Sequence, residues 1–231
     1  MIEHERAEYA RALEGTGVTL AFASSLDESL PWETPSALLA GIDAVIIGGS
    51  GEFDFDGGRE LTDEARRISR GILERLTPLI RHVKAETIPM LGICYGHQII
   101  AEAHGVRVVN DPAQNKVGTA LVRLTHEGAE DPLFTGLPAS FSAQYGHKDS
   151  LSSLPAGATL LASGDRCRFS ALRYGPTLYT VQFHPELTAE DVIYKLANSP
   201  GYLPEGVEPE SIVGESPEAS TILSRFVKQF S

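Results

Sequence analysis

Cysteine is scarce in this sequence, with two in 231 residues. Two thiols build no disulfide framework, so an apolar core has to hold the chain, as suits a reducing cytosol. Long apolar runs are missing too. Ala44 to Ile47 is among the longest and is far too short to cross a bilayer. The opening MIEHERAEYARALEG lacks the apolar stretch that a signal peptide needs. Positive charge is in deficit: 19 Lys and Arg against 31 Asp and Glu leave a formal charge of −12, which argues against a nucleic-acid platform. No segment repeats at solenoid length. The expectation is a cytoplasmic protein with neither a membrane nor a nucleic-acid partner.

What is present fits a folded enzyme. Hydrophobic residues at 42% and charged residues at 22% sit near globular averages. A single domain over 1–231 is expected, since no linker divides the chain. Val18 to Ala23, Asp43 to Gly48 and Ile88 to Ile93 are short apolar runs of the kind that fill a parallel sheet buried on both faces. Glu3 to Glu14 reads as a helix. From Thr62 to about Glu86, Ala65, Ile68, Ile72, Leu76, Leu79 and Val83 recur at helical spacing. Thr62 is placed to cap that helix, and Thr77-Pro78 predicts a kink or restart. From Val117 to Phe183 short strands alternate with turns, which predicts an antiparallel extension. Ser199 to Pro217, rich in Pro, Gly and Glu, reads as a surface excursion, and Ser216-Pro217-Glu218 as the start of a last helix.

The chemistry concentrates at Gly92-Ile93-Cys94-Tyr95-Gly96-His97-Gln98. A strand runs through two glycines flanking a cysteine into a helix-like segment. Such a turn pushes one side chain out of the sheet edge, and the glycines leave room where a Cβ would clash. A thiol at a helix N-terminus also meets the positive end of the dipole, which favours the thiolate. Cys167, in Asp165-Arg166-Cys167-Arg168, has no such setting and reads as a strand residue.

A cysteine nucleophile needs a base, and the base an orienting group. His184-Pro185-Glu186 follows a predicted strand, so the acid can fold back on the imidazole. Gly48-Gly49-Ser50-Gly51 ends another strand with backbone free to aim N–H groups at a developing oxyanion; Gly49 and Tyr95 are the candidate donors. A phosphate-binding loop is the rival for that turn, but no Gly-Lys-Ser/Thr follows it.

Together, Gly92 to Gln98 and Gln182-Phe183-His184-Pro185-Glu186 resemble the two signatures of class I glutamine amidotransferases. The likeness is nearest to the glutaminase domain of GMP synthase and its stand-alone relatives. Ile47 to Ser50, Gly146 to Leu151 with Leu154-Pro155, and Leu161 to Ser163 agree in order and spacing, so it covers roughly Ala44 to Ala189.

The resemblance implies a three-layer α/β/α fold with a mainly parallel, flavodoxin-like central sheet and a small antiparallel extension. It implies hydrolysis of the glutamine side-chain amide through a γ-glutamyl thioester, without cofactor or metal. Cys94 is then the nucleophile, His184 the base and acid, and Glu186 its orienter. Gln98 holds the amino-acid end of the substrate, and Gly146, His147 and Lys148 contact it. The ammonia goes to a separate synthetase, because the chain has no nucleotide site; a homo-oligomer is left open. The alternative is a stand-alone γ-glutamyl hydrolase or peptidase acting on another γ-glutamyl amide. A non-catalytic module is disfavoured by the intact Cys94, His184 and Glu186. Two departures stand out: the usual first strand is missing, which predicts a gap in the sheet, and Ser50 stands where relatives often carry proline.

Overall fold

The computed structural model describes residues 2–198, 203 and 206–230. Its strands are β1 (Val45–Ile47), β2 (Met90–Ile93), β3 (Val108–Asn110), β4 (Lys116–Leu124), β5 (Ser140–His147), β6 (Asp149–Leu151), β7 (Thr159–Gly164), β8 (Cys167–Arg173) and β9 (Leu178–Val181). Its helices are α1 (Ile2–Ala12), α2 (Pro35–Leu38), α3 (Glu64–Ala85), α4 (Tyr95–Ala103), α5 (His126–Glu130), α6 (Ala189–Ala197) and α7 (Ile222–Phe230).

The main sheet runs in the order β1-β2-β9-β8-β7-β4-β5. β1, β2 and β9 are parallel; from β9 onward each neighbour is antiparallel. A separate antiparallel pair joins β3 to β6. Side chains alternate across β2 and β9 as a pleated strand requires. Leu91, Ile93, Tyr179 and Val181 face a cluster with Leu13, Ile222 and Phe226 of the N-terminal segment and α7. Met90 and Leu178 face Ile72, Leu76 and Ile99 of α3 and α4. Helices therefore cover both faces, giving the expected three-layer α/β fold. No helix among the described residues is long and apolar enough to cross a membrane.

Several local expectations are corrected. Val18 to Ala23 forms no strand; Val18 is 39% and Phe22 44% exposed. An apolar run becomes a strand only where a partner supplies the ladder of hydrogen bonds, and among the described residues none runs outside β1. The expected gap is absent as well: the sheet is continuous and β1 is its edge. Asp63, not Thr62, caps α3, accepting from the Ala65 N–H at 2.9 Å. Pro78 neither breaks nor restarts that helix, which is continuous from Glu64 to Ala85. The proline removes only the bond to the carbonyl of Glu74, an exposed residue that water can serve, while Ile72, Leu76, Leu79, Ile80 and Val83 stay buried across it. The last helix begins later than Ser216-Pro217-Glu218 suggests, with a 3₁₀ turn over Ala219–Thr221 before α7.

The stretch from Ser199 to Pro217 lies partly outside the described residues. Its later part packs on the protein: the Thr119 N–H donates to the Ile212 carbonyl at 2.8 Å, and Ile212 and Val213 pack against Leu187, Val192 and Leu196.

Candidate active site

Cys94 closes β2 and opens α4 with φ 51° and ψ −100°, in the left-handed half of backbone space that residues with side chains rarely enter. Such strain costs about 1–3 kcal/mol and persists where the surroundings over-determine it. Here the Cys94 N–H donates to the Val181 carbonyl at 2.8 Å, and the Gln98 N–H to the Cys94 carbonyl at 3.1 Å. The flanking glycines explain themselves sterically. A Cβ on Gly96 would overlap the carbonyl of Ile47 in β1, and one on Gly92 would come within 2.8 Å of the Gly96 carbonyl. The elbow closes only because both positions are bare.

β9 runs parallel to β2 and delivers His184 beside that elbow. The His184 N–H donates to the Gln144 carbonyl at 2.8 Å, which fixes the backbone. Nδ1 of His184 lies 2.6 Å from Oε1 of Glu186, a buried carboxylate, leaving the other ring nitrogen for a different partner. Burial opposes a charge on this imidazole. Cys94, which hydrogen-bonds to it, and Glu186 outweigh that and hold its pKa well above the usual histidine value. A thiol, an imidazole and a carboxylate in this order can pass a proton between sulfur and ring while the acid holds the ring in place.

The Gly48–Gly49 turn forms the opposite wall. The Gly96 N–H donates to the Gly48 carbonyl at 3.1 Å. A Cβ on Gly49 would come 2.9 Å from Cε1 of His184 and 3.7 Å from Cβ of Cys94, so the turn touches both. Tyr95 is the first residue of α4, and its N–H is one of the first-turn donors that a helix leaves without an internal acceptor. Its ring stacks on Phe55 at 5.5 Å.

The remaining predicted residues sit differently. Gln98 is buried, with Nε2 donating to the Asp149 carbonyl at 2.9 Å and to Oε1 of Gln182 at 3.4 Å. Its amide hydrogens thus serve the protein. His147 is buried at the end of β5, with Nδ1 3.1 Å from the Asp149 carbonyl. Burial brings its pKa down to about 4. Gly146 and Lys148, on either side of it, are half-buried. Cys94, His184, Glu186, Gly49 and Tyr95 therefore meet at one sheet edge, while Gln98 and His147 lie packed within the protein beside it.

Two residues here escaped sequence reasoning. Asp149 accepts from the N–H groups of Asp56 and Gly57 at 2.8 and 2.6 Å, pinning the loop that follows the glycine turn. Its place in the Gly146–Leu151 motif was the only available signal. Tyr9 of α1 brings its hydroxyl to the glycine turn, and nothing near it in sequence announces that. Away from this edge, His4, Glu8 and Asp191 have ligand atoms within 4.8 Å of one another, but Lys195 and Arg11 already pair with the two acids.

Comparison with known proteins agrees with this geometry. The family described as glutamine amidotransferase class-I matches residues 30–194, and the chain belongs to that family. A stand-alone glutamine-hydrolyzing GMP synthase subunit from Archaeoglobus fulgidus is 31% identical over 155 residues, covering 67% of this chain and 72% of that protein. The glutamine-hydrolyzing GMP synthase of Thermosipho melanesiensis is 37% identical over 119 residues, 51% of this chain but only 22% of that protein. The chain thus matches about a fifth of the one relative's length and nearly three-quarters of the other's. In fold it is similar to a glutamine amidotransferase from Thermotoga maritima, with a TM-score of 0.60 at 17% identity over 81% of this chain and 97% of that one.

Proposed function

We propose that this chain hydrolyses the side-chain amide of glutamine through a γ-glutamyl thioester on Cys94, releasing glutamate and ammonia. The observation that carries the reading is His184, held by Glu186 at 2.6 Å and hydrogen-bonded to a cysteine on a strained elbow. In the first half-reaction Sγ attacks the side-chain amide carbon, forming a C–S bond and an oxyanion. The N–H groups of Tyr95 and Gly49 are the proposed donors to that oxygen. His184 then gives its proton to the amide nitrogen as the C–N bond breaks, and ammonia leaves. In the second half-reaction His184 takes a proton from water, which attacks the thioester and frees glutamate and Cys94.

The substrate rests on membership of the glutamine amidotransferase family and on relatives that are named as glutamine-hydrolyzing. That one of these is named as a subunit supports a separate acceptor enzyme as the destination of the ammonia. Gly146, His147 and Lys148 of β5 and its end, with Gln98, are proposed to shape the pocket for the amino-acid end. Gln98 and His147 do so from behind, since both are buried.

The test is a panel of glutamine, asparagine and γ-glutamyl peptides, with glutamate and ammonia measured and Cys94→Ser as the control. Release from glutamine that vanishes in the control supports the reading. Turnover of γ-glutamyl peptides with none of glutamine replaces it with a γ-glutamyl hydrolase.

A further inference from the structure

Tyr9 stands on α1, which is docked against the segment carrying Glu186. Arg11 donates to the Glu186 carbonyl at 3.4 Å and pairs with Asp191, while Glu8 pairs with Lys195 of α6 at 3.1 Å. Between these anchors the Tyr9 ring turns into the core, and its hydroxyl arrives at the glycine turn. A Cβ placed on Gly48 would lie 2.8 Å from the phenol oxygen. That oxygen is enclosed yet makes no hydrogen bond of ordinary geometry. Oε2 of Glu186, the carboxylate oxygen that His184 does not use, is in the same condition.

A buried polar atom left unpaired costs about 1–3 kcal/mol, so two with complementary needs at one site call for an explanation. One is a donor without an acceptor, the other an acceptor without a donor. Burial, then the charges of Glu186 and Cys94, push the phenol's pKa well up, so it keeps its proton; the Gly49 N–H facing the oxygen works the other way.

We propose that Tyr9 is a positioning residue of the site: its oxygen receives the Gly49 N–H and its hydrogen serves Oε2 of Glu186, directly or through one water. The phenol thereby ties the glycine turn to the acid that orients His184, so the two walls around Cys94 keep one spacing. This rests on the proposed amide hydrolysis for its kinetic consequence, but not for its geometry.

Tyr9→Phe removes one oxygen and keeps the ring. Glutamine kcat should fall about five- to tenfold with KM within about twofold, as expected when an interaction tightens only in the transition state. Tyr194→Phe, an exposed tyrosine on α6, should change neither constant. In spectra of the protein, the Gly49 amide and the His184 Nδ1 proton should both shift in Tyr9→Phe and stay put in Tyr194→Phe. The wild type offers a reading independent of any variant's folding: a cross-peak between the Tyr9 ring or hydroxyl and the Gly49 amide. An unchanged kcat in a folded Tyr9→Phe, unmoved resonances, or no cross-peak overturns the proposal. A wild type inert on glutamine would sink the amide-hydrolysis reading instead, leaving the spectra to judge Tyr9.

Discussion

Cys94 and Cys167 are both buried, 4% and 5% exposed, and belong to the same apolar cluster. Cys94 ends a parallel strand, on a strained turn against an imidazole. Cys167 opens β8 in the antiparallel part, and burial pushes its thiol up to about 11. The histidines divide in the same way. His184, paired with a carboxylate and a thiol, has its pKa raised; His147 is brought down to about 4 by burial and His97 to about 3. Burial alone silences an ionisable group. Burial with one well-placed opposite partner makes it reactive, and the parallel edge is where this fold supplies such partners.

Exchanging the cysteines in turn is the most severe way to probe that contrast. Cys94→Ala should lower glutamine hydrolysis at least about a thousandfold, and Cys167→Ala should change it less than about twofold. A comparable loss in both would mean that the two thiols are not so differently placed. A milder version separates His184 from its acid. His184→Ala should cost more than Glu186→Gln, which should lose about ten- to a hundredfold in kcat, because orientation goes before the base itself. Single-turnover rates would show it, and equal losses would merge the two roles.

The smallest expected effect concerns the silenced histidines. His97 has its pKa lowered in the folded state, so the unfolded chain binds the proton first as pH falls through about 6.5. Its contribution to stability is present above that value and is lost on acidification towards about 3. Between pH 7 and pH 5 the wild type should lose about 2 kcal/mol relative to His97→Gln. Denaturant midpoints at the two values measure this, and a constant difference would mean that His97 is charged in the folded protein.

The elbow could be read from the sequence because its causes are local. Gly92, Cys94 and Gly96 sit within five residues, and the strand-to-helix turn needs just that spacing. His184-Pro185-Glu186 is equally local, since two residues suffice for the acid to reach the imidazole. The edge of the sheet could not be read this way. Val18 to Ala23 has the composition of a strand, but a strand is a property of a pair. Pro78 carries a strong local signal against a helix, and the burial of Ile72, Leu76, Ile80 and Val83 on either side overrides it.

By itself the sequence determined the three-layer class, the elbow, the His-Pro-Glu turn and the family resemblance, all written in spacings of a few residues. Only the tertiary structure decided that β1 ends the sheet, that Gln98 and His147 turn inward, and that a tyrosine near the start of the chain reaches the glycine turn. Those outcomes depend on contacts across tens to more than a hundred residues, which packing selects and no local pattern encodes.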